Sequence, residues 1–193
     1  MAKVNWGGRR NRGEYAREYA MGTDQVADRL ALPGWAYVPG VDEAPDRAPL
    51  DGVKALVPVR FDGHVPATHP ALLYGLRLNN EGLFWEAHEI LEAVWKAAPQ
   101  GGLDRLCLRG CIQIANANLK LKMGRPRAVD RLLADAAAEF AELAVRRRGS
   151  GTGSFAAGYP VAAMVAQLRT RAASAGPGGT IILIGATLTC PGT

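Results

Sequence analysis

The sequence predicts an all-α fold, a compact bundle of about four to five helices behind an irregular, Pro/Gly-rich N-terminal strap. From Pro70 onward apolar residues recur mostly three and four apart, the period of a helix that buries one face. Pro70 and Pro126 sit where helices start, and Gly82, Gly101 and Gly124 fall in the breaks between periodic runs. A single run, Thr180 to Leu188, is β-branched and apolar enough to read as a strand, and no second strand is predicted to pair with it. The 193 residues, 48% hydrophobic, suffice for one domain with its own core.

Residues 1–32 open with the Gly/Arg-rich GGRRNRG and continue into a stretch with few apolar positions, so they read as a loosely attached, partly helical extension. Residues 33–69 carry prolines and glycines at short intervals, which remove backbone donors and disfavour helix. That strap also carries Trp35, Tyr37, Val38 and Phe61, and is expected to lie against an apolar surface.

Residues 70–148 form the expected bundle core. Its first helix runs from Pro70 to about Leu78, and Asn80 is placed to cap the second, which ends near Ala98. The third runs from Leu103 to Met123, and the fourth, from Pro126, repeats Val129, Leu132, Leu133, Ala136, Phe140 and Leu143 on one face. Residues 149–193 then read as a Gly-rich linker, a weaker helix from Pro160 to about Ala173, and the strand-like tail.

A net charge of +5 permits attraction to anions, but the basic residues are interspersed with acids, which argues against nucleic acid. Arg146, Arg147 and Arg148 suit the negative end of a helix dipole. Cys107 and Cys111 are four apart on one helix face, poor geometry for a disulfide, and read with Cys190 as thiols of a reducing compartment. There is no charged-then-apolar leader and no run of eighteen apolar residues, so a cytoplasmic protein with no membrane partner is expected.

The stretch LFWEAHEILEAVW, Leu83 to Trp95, holds the chemistry. At about 100° per residue Leu83, Phe84, Ala87, Ile90, Leu91, Val94 and Trp95 share the core face. His88, Glu89, Glu92 and Trp85 share the other, and Glu86 stands apart. On the next helix Arg105, Arg109, Gln113, Asn116 and Lys120 form one polar stripe, while Asp104, Asn118 and Lys122 fall outside it and read as solvated. A short connection makes the two helices antiparallel neighbours, so the stripes are expected to face each other, with Arg109 paired to Glu89 or Glu92. His88 beside carboxylates is suited to acid/base work; the plainer alternative is that these groups only tie two helices together. His-Glu-x-x-Glu lacks the second histidine of a zincin helix, so a metal is not favoured and the cofactor is left open.

The motif residues Asn80, Gly82, Phe84, Trp85, Glu86, Ala87, His88, Glu89, Leu91, Glu92 and Trp95, followed by LRGCIQIANANLKLKMGRPRAVDRLL and preceded by WAYVPG, resemble the bacterial family called domain of unknown function 309. The resemblance spans about Pro33 to Val145 and implies a compact all-helical bundle without an established activity. It marks Tyr37, Pro39, Glu86, His88, Glu89, Glu92, Gly110 and Gln113 as signature residues but gives them no roles. Lys120 stands where many relatives have a histidine, which favours a salt-bridged cleft or an anion site over a metal. The expected site therefore has His88, Glu89 and Glu92 as acid/base groups and Arg109, Gln113, Asn116, Lys120 and Tyr37 around a small anionic ligand. The alternative is a non-catalytic helical interaction module whose motif is structural.

Overall fold

A computed structural model of the protein describes residues 30–147 and 153–173, together with Ile182 and Ile184. The helix reading within residues 1–29, Arg148, Cys190 and most of the strand-like run lie outside the described residues. The described part is helical, in the order α1 (Ala48–Lys54), α2 (Pro70–Asn80), α3 (Phe84–Ala97), α4 (Leu103–Lys122), α5 (Pro126–Arg146), α6 (Phe155–Gly158) and α7 (Val161–Ala173). That makes seven helices among the described residues rather than the four to five expected.

The two unanticipated helices are short. In α1 Pro49 occupies the first turn, where its missing N–H costs nothing, Asp46 accepts from the Ala48 N–H at 3.0 Å, and Leu50 and Val53 turn into the core. The segment 33–69 is therefore not irregular throughout. In α6 the Ser154 side chain accepts from Ala157 N–H at 3.2 Å, an N-cap inside what reads as a linker.

The longer helices follow the apolar period. α5 buries Val129, Leu132, Ala136, Phe140 and Leu143, and α7 packs Val161, Met164 and Leu168 against the same core. Each such side chain removed from water contributes about 1.5–3 kcal/mol before entropy is subtracted. α4 packs against both α3 and α5, and α2 packs against α3. α2 and α4 each end in the same closing turn. At α4, Gly124 (φ 65°) donates to Leu121 O and Arg125 to Lys120 O, so a left-handed residue satisfies the last carbonyls. The turn after α2 uses Gly82 (φ 83°) and Leu83 likewise. Asn80 is thus the last residue of α2, and it does not cap α3, whose N-cap position is Leu83 without a side-chain bond.

Two contacts set the helix spacings. A Cβ on Gly110 would stand 2.8 Å from Phe140 Cζ, so α4 and α5 meet backbone to ring. Phe140 is in turn stacked on Tyr159 at 5.4 Å. A Cβ on Gly75 would stand 2.8 Å from Leu91, which fixes α2 against α3 in the same manner. Cys107 and Cys111 are free thiols buried in this region, and burial pushes the Cys107 thiol well up.

Asp104 is not solvated as its helical position suggested; it is buried at the start of α4. Its Oδ2 accepts from Val65 N–H at 2.8 Å and its Oδ1 from Ala156 N–H at 2.7 Å. One carboxylate thereby joins the segment before α2 to α6. Asp104→Ala is expected to cost about 3 kcal/mol in urea denaturation, because two backbone donors lose a charged acceptor. Gly110→Ala is expected to cost about 1–3 kcal/mol by overpacking Phe140, whereas Gly34→Ala, with nothing within 4 Å, should stay within about 0.5 kcal/mol.

Candidate functional site

The motif helix α3 sends its polar groups in three directions. Glu86 is fully buried, and its Oε1 accepts the Tyr37 N–H at 2.7 Å while Oε2 has no partner. Burial pushes the Glu86 carboxyl up; the Tyr37 N–H and the charge of Lys122 work against that shift. Trp85, expected on the polar side, is buried beneath the N-terminal segment: Tyr37 meets it edge-on at 5.0 Å, Trp35 lies at 6.4 Å, and the Arg47 guanidinium stands 5.1 Å from its ring. Tyr74 on α2 completes this anchorage by donating its hydroxyl to Ala31 O at 2.9 Å.

His88 is half-buried, with a buried Nδ1 that has no partner. Burial lowers its pKa, and Glu92 and Glu89 oppose the shift. The largest charge effects on it come from Glu92, Glu89, Lys96 and Lys54, on α3 and α1. Glu89 pairs with Lys54 of α1 at 2.7 Å, and Glu92 with Lys96 one turn on at 3.0 Å.

The expected pairing of Arg109 with Glu89 or Glu92 is not formed. Arg109 turns to α5 and pairs with Glu139, its Nη2 standing 2.7 Å from Oε2. Gln113 and Asn116 are half-buried on α4, and Lys120 Nζ lies 3.7 Å from Met123 Sδ. The α4 stripe and the α3 motif therefore serve different neighbours. Arg105 donates to Trp95 O and Ala98 O at 2.8 and 3.0 Å, closing the end of α3, and lies 3.9 Å above the Trp95 ring. A cleft of about 240 Å³ opens there, lined by Trp95, Arg105, Arg109, Glu142, Arg146 and the Gly101–Gly102 turn. Among the described residues no group of three His, Cys, Asp or Glu side chains is placed to hold a metal ion, and no helix is long and apolar enough to cross a membrane.

A second polar cluster was missed by the helical projection. Asn79 of α2 and Asn118 of α4 are buried, and with Asn80 they hold Ile182 and Ile184 through backbone atoms. Asn118 had read as solvated. It lies three, four and seven residues after Ala115, Ile114 and Cys111, all buried, and that phase is the signal that marks it as interior.

Residues 72–132 match the family model described as Domain of unknown function (DUF309). Over these residues the chain is similar to that family. No curated protein and no solved structure gives a significant match. The DUF309 segment runs from α2 into α5 and contains Tyr74, Asn79, Asn80, Glu86, Asp104, Gly110 and Asn118. The backbone groups these polar side chains hold, at Ala31, Tyr37, Val65, Ala156, Ile182 and Ile184, all lie outside it.

Burial also gives the chain a pH dependence. His69, edge-on to Phe61 at 5.0 Å, has its pKa lowered to about 4 by burial, against a hydrogen bond to the Leu56 backbone. Unfolding restores the ordinary value of 6.5, so the unfolded chain binds more protons and stability is lost as pH falls from 6.5 toward 4. His88 acts in the same direction. The raised Glu86 carboxyl acts oppositely, losing stability as pH rises above 4.5. Urea midpoints at pH 7.5 and 4.5 should show His69→Gln removing about 2–3 kcal/mol of the acid loss.

Proposed function

We infer that the chain is a non-catalytic helical interaction module in which the Glu-Ala-His-Glu motif is a fastener. The observation that carries this reading is Glu86, buried and committed to the Tyr37 N–H. The neighbouring carboxylates are also engaged, Glu89 with Lys54 and Glu92 with Lys96. A module that grips extended backbone with side chains of its helices is suited to holding segments of protein. Glu86→Ala is expected to cost about 2–4 kcal/mol and to expose the Tyr37 amide to hydrogen exchange, while Glu86→Gln, which keeps the acceptor, should retain most of both. Wild-type stability and an unchanged Tyr37 amide in Glu86→Ala would overturn the fastener role.

A small anionic ligand is the second reading, favoured by the cleft where Trp95 presents a buried, unpartnered Nε1–H among Arg105, Arg109 and Arg146. Arg109 is the expected ligand-binding residue that lines it; Gln113, Asn116, Lys120 and Tyr37 do not. Acid/base chemistry in this reading falls to His88, whose unpartnered Nδ1 accepts a proton, with Glu89 and Glu92 beside it. Inorganic phosphate titrated against Trp95 fluorescence tests it, with Trp95→Phe as the control. Saturation that Arg105→Met abolishes would support the anion site, and no change at millimolar phosphate would remove it.

A further inference from the structure

The net charge of the chain is gathered largely at one place. Residues 120–131 hold five of the 23 basic residues and one of the 18 acidic ones, so this short segment carries +4 of a net +5. The interspersion of charge that argues against nucleic acid along the whole sequence does not extend to it. The segment forms the last turn of α4, the turn at Gly124 and the first turns of α5, one end of a helical hairpin. Lys122, Arg125, Arg127 and Arg131 are exposed, and Lys120 is half-buried. Among the described residues Lys54, Lys96, Arg109 and Arg146 each pair with a carboxylate, whereas none of these five does. Lys122 donates instead to the Gly82 carbonyl at 2.8 Å and lies over the Phe84 ring.

Helix dipoles do not account for the cluster. The two lysines in the last turn of α4 suit its negative end, but Arg127 and Arg131 stand at the positive end of α5, whose first turn holds no acid. Like charges held together without counter-charges raise the local potential. Arg127 and Arg131, four apart, share one face of α5, while Lys120 and Lys122, two apart, point to opposite sides of α4. Positive charge therefore covers the tip of the hairpin and runs along its flanks, with Arg131 about 7.5 Å beyond Pro126 along the helix axis.

We propose that this end of the bundle docks double-stranded nucleic acid through its phosphates, without reading sequence. Arg125, Arg127 and Arg131 bring guanidinium groups, whose forked donors match phosphate oxygens. The exposed large hydrophobic side chains, Val41, Val59 and Val145, lie on other segments, so the cluster offers no apolar anchor to a protein partner or a bilayer. Residues 120–131 include no aromatic side chain on which the bases of a single strand could stack, and no side-chain amide. Phosphate contact is the recognition such a surface supplies. The two phosphate walls of a duplex groove meet the tip and the flanks of the hairpin together, whereas a flat sheet of lipid headgroups meets the tip.

The test is fluorescence anisotropy of a labelled DNA duplex titrated with the full-length chain across a salt series. Arg127→Gln/Arg131→Gln is expected to reduce the slope of log affinity against log salt by about 1.8 and to weaken binding at least ~10-fold at about 50 mM salt. Arg60→Gln/Arg169→Gln removes the same charge from exposed positions elsewhere and should change affinity less than about 2-fold. Arg127→Lys/Arg131→Lys, which keeps the charge, should retain the wild-type slope. Each substituted arginine is exposed, and every chain compared keeps its other charges, GGRRNRG included, so the differences report this cluster. No binding in low salt, equal losses in the two glutamine variants, or a single strand of the same length binding more tightly than the duplex would overturn the proposal. Co-sedimentation with phosphatidylserine vesicles that needs Arg127 and Arg131, in a chain that ignores the duplex, would assign the surface to lipid headgroups and refute it. Polyglutamate that displaces the duplex at equal charge concentration would likewise assign the surface to an acidic protein.

Discussion

An extended segment that crosses a helical bundle brings N–H and C=O groups that the helices cannot satisfy with their own backbones, since those are spent on the helical ladder. Left unpaired in the interior, each such group costs on the order of 1–3 kcal/mol. This chain meets the constraint with side chains planted on its central helices. Glu86 takes the Tyr37 N–H, Asp104 takes those of Val65 and Ala156, and Asn79, Asn80 and Asn118 take both groups of the tail residues. The irregular segments are ordered where these acceptors meet them, and the apolar contacts around Trp85 and Phe61 follow from that placement.

Such a scheme requires the helices to be held rigidly, because a side-chain amide displaced by an ångström no longer meets two backbone groups at once. The close contacts at Gly75 and Gly110 supply that rigidity. Neither pair of helices can slide without driving backbone into Leu91 or the Phe140 ring. Phe140 is backed by Tyr159, and Tyr159 by Phe155, so the same packing reaches α6, the element Asp104 holds. Packing and polar satisfaction therefore support each other across α4.

The fold was legible where a helix is long enough to show its period. α4 and α5 were read to within a residue or two because Pro126 and Gly124 punctuate an apolar stripe of several turns. α1 and α6, of seven and four residues, show less than a full repeat, and the prolines and glycines around them speak more loudly than their apolar positions. The site was less legible. A helical projection gives the direction of a side chain but not which neighbour lies there, so Glu89 was matched to α4 when α1 covers it. Asp104 and Asn118 read as solvated from outside the polar stripe, although both stand in phase with Cys107, Cys111, Ile114 and Ala115. A polar residue on the buried stripe marks a place where backbone from a distant segment must arrive.

The choice between carboxylate and amide at each of these places has a physical reason. Tyr37, Val65 and Ala156 present an N–H, for which an acceptor-only carboxylate is the stronger partner. That strength carries a burial cost, visible in the upward push on the Glu86 carboxyl. Ile182 and Ile184 each present an N–H and a C=O to the same side chain, and a carboxylate would leave the carbonyl facing a negative charge with no donor. An amide answers both groups and brings no charge into the core. The tail is thus held by neutral hydrogen bonds of modest individual strength, about 0.5–1.5 kcal/mol each, together with two isoleucine side chains. The carboxylate bonds at Glu86 and Asp104 are individually stronger, and each engaged oxygen there serves a lone N–H.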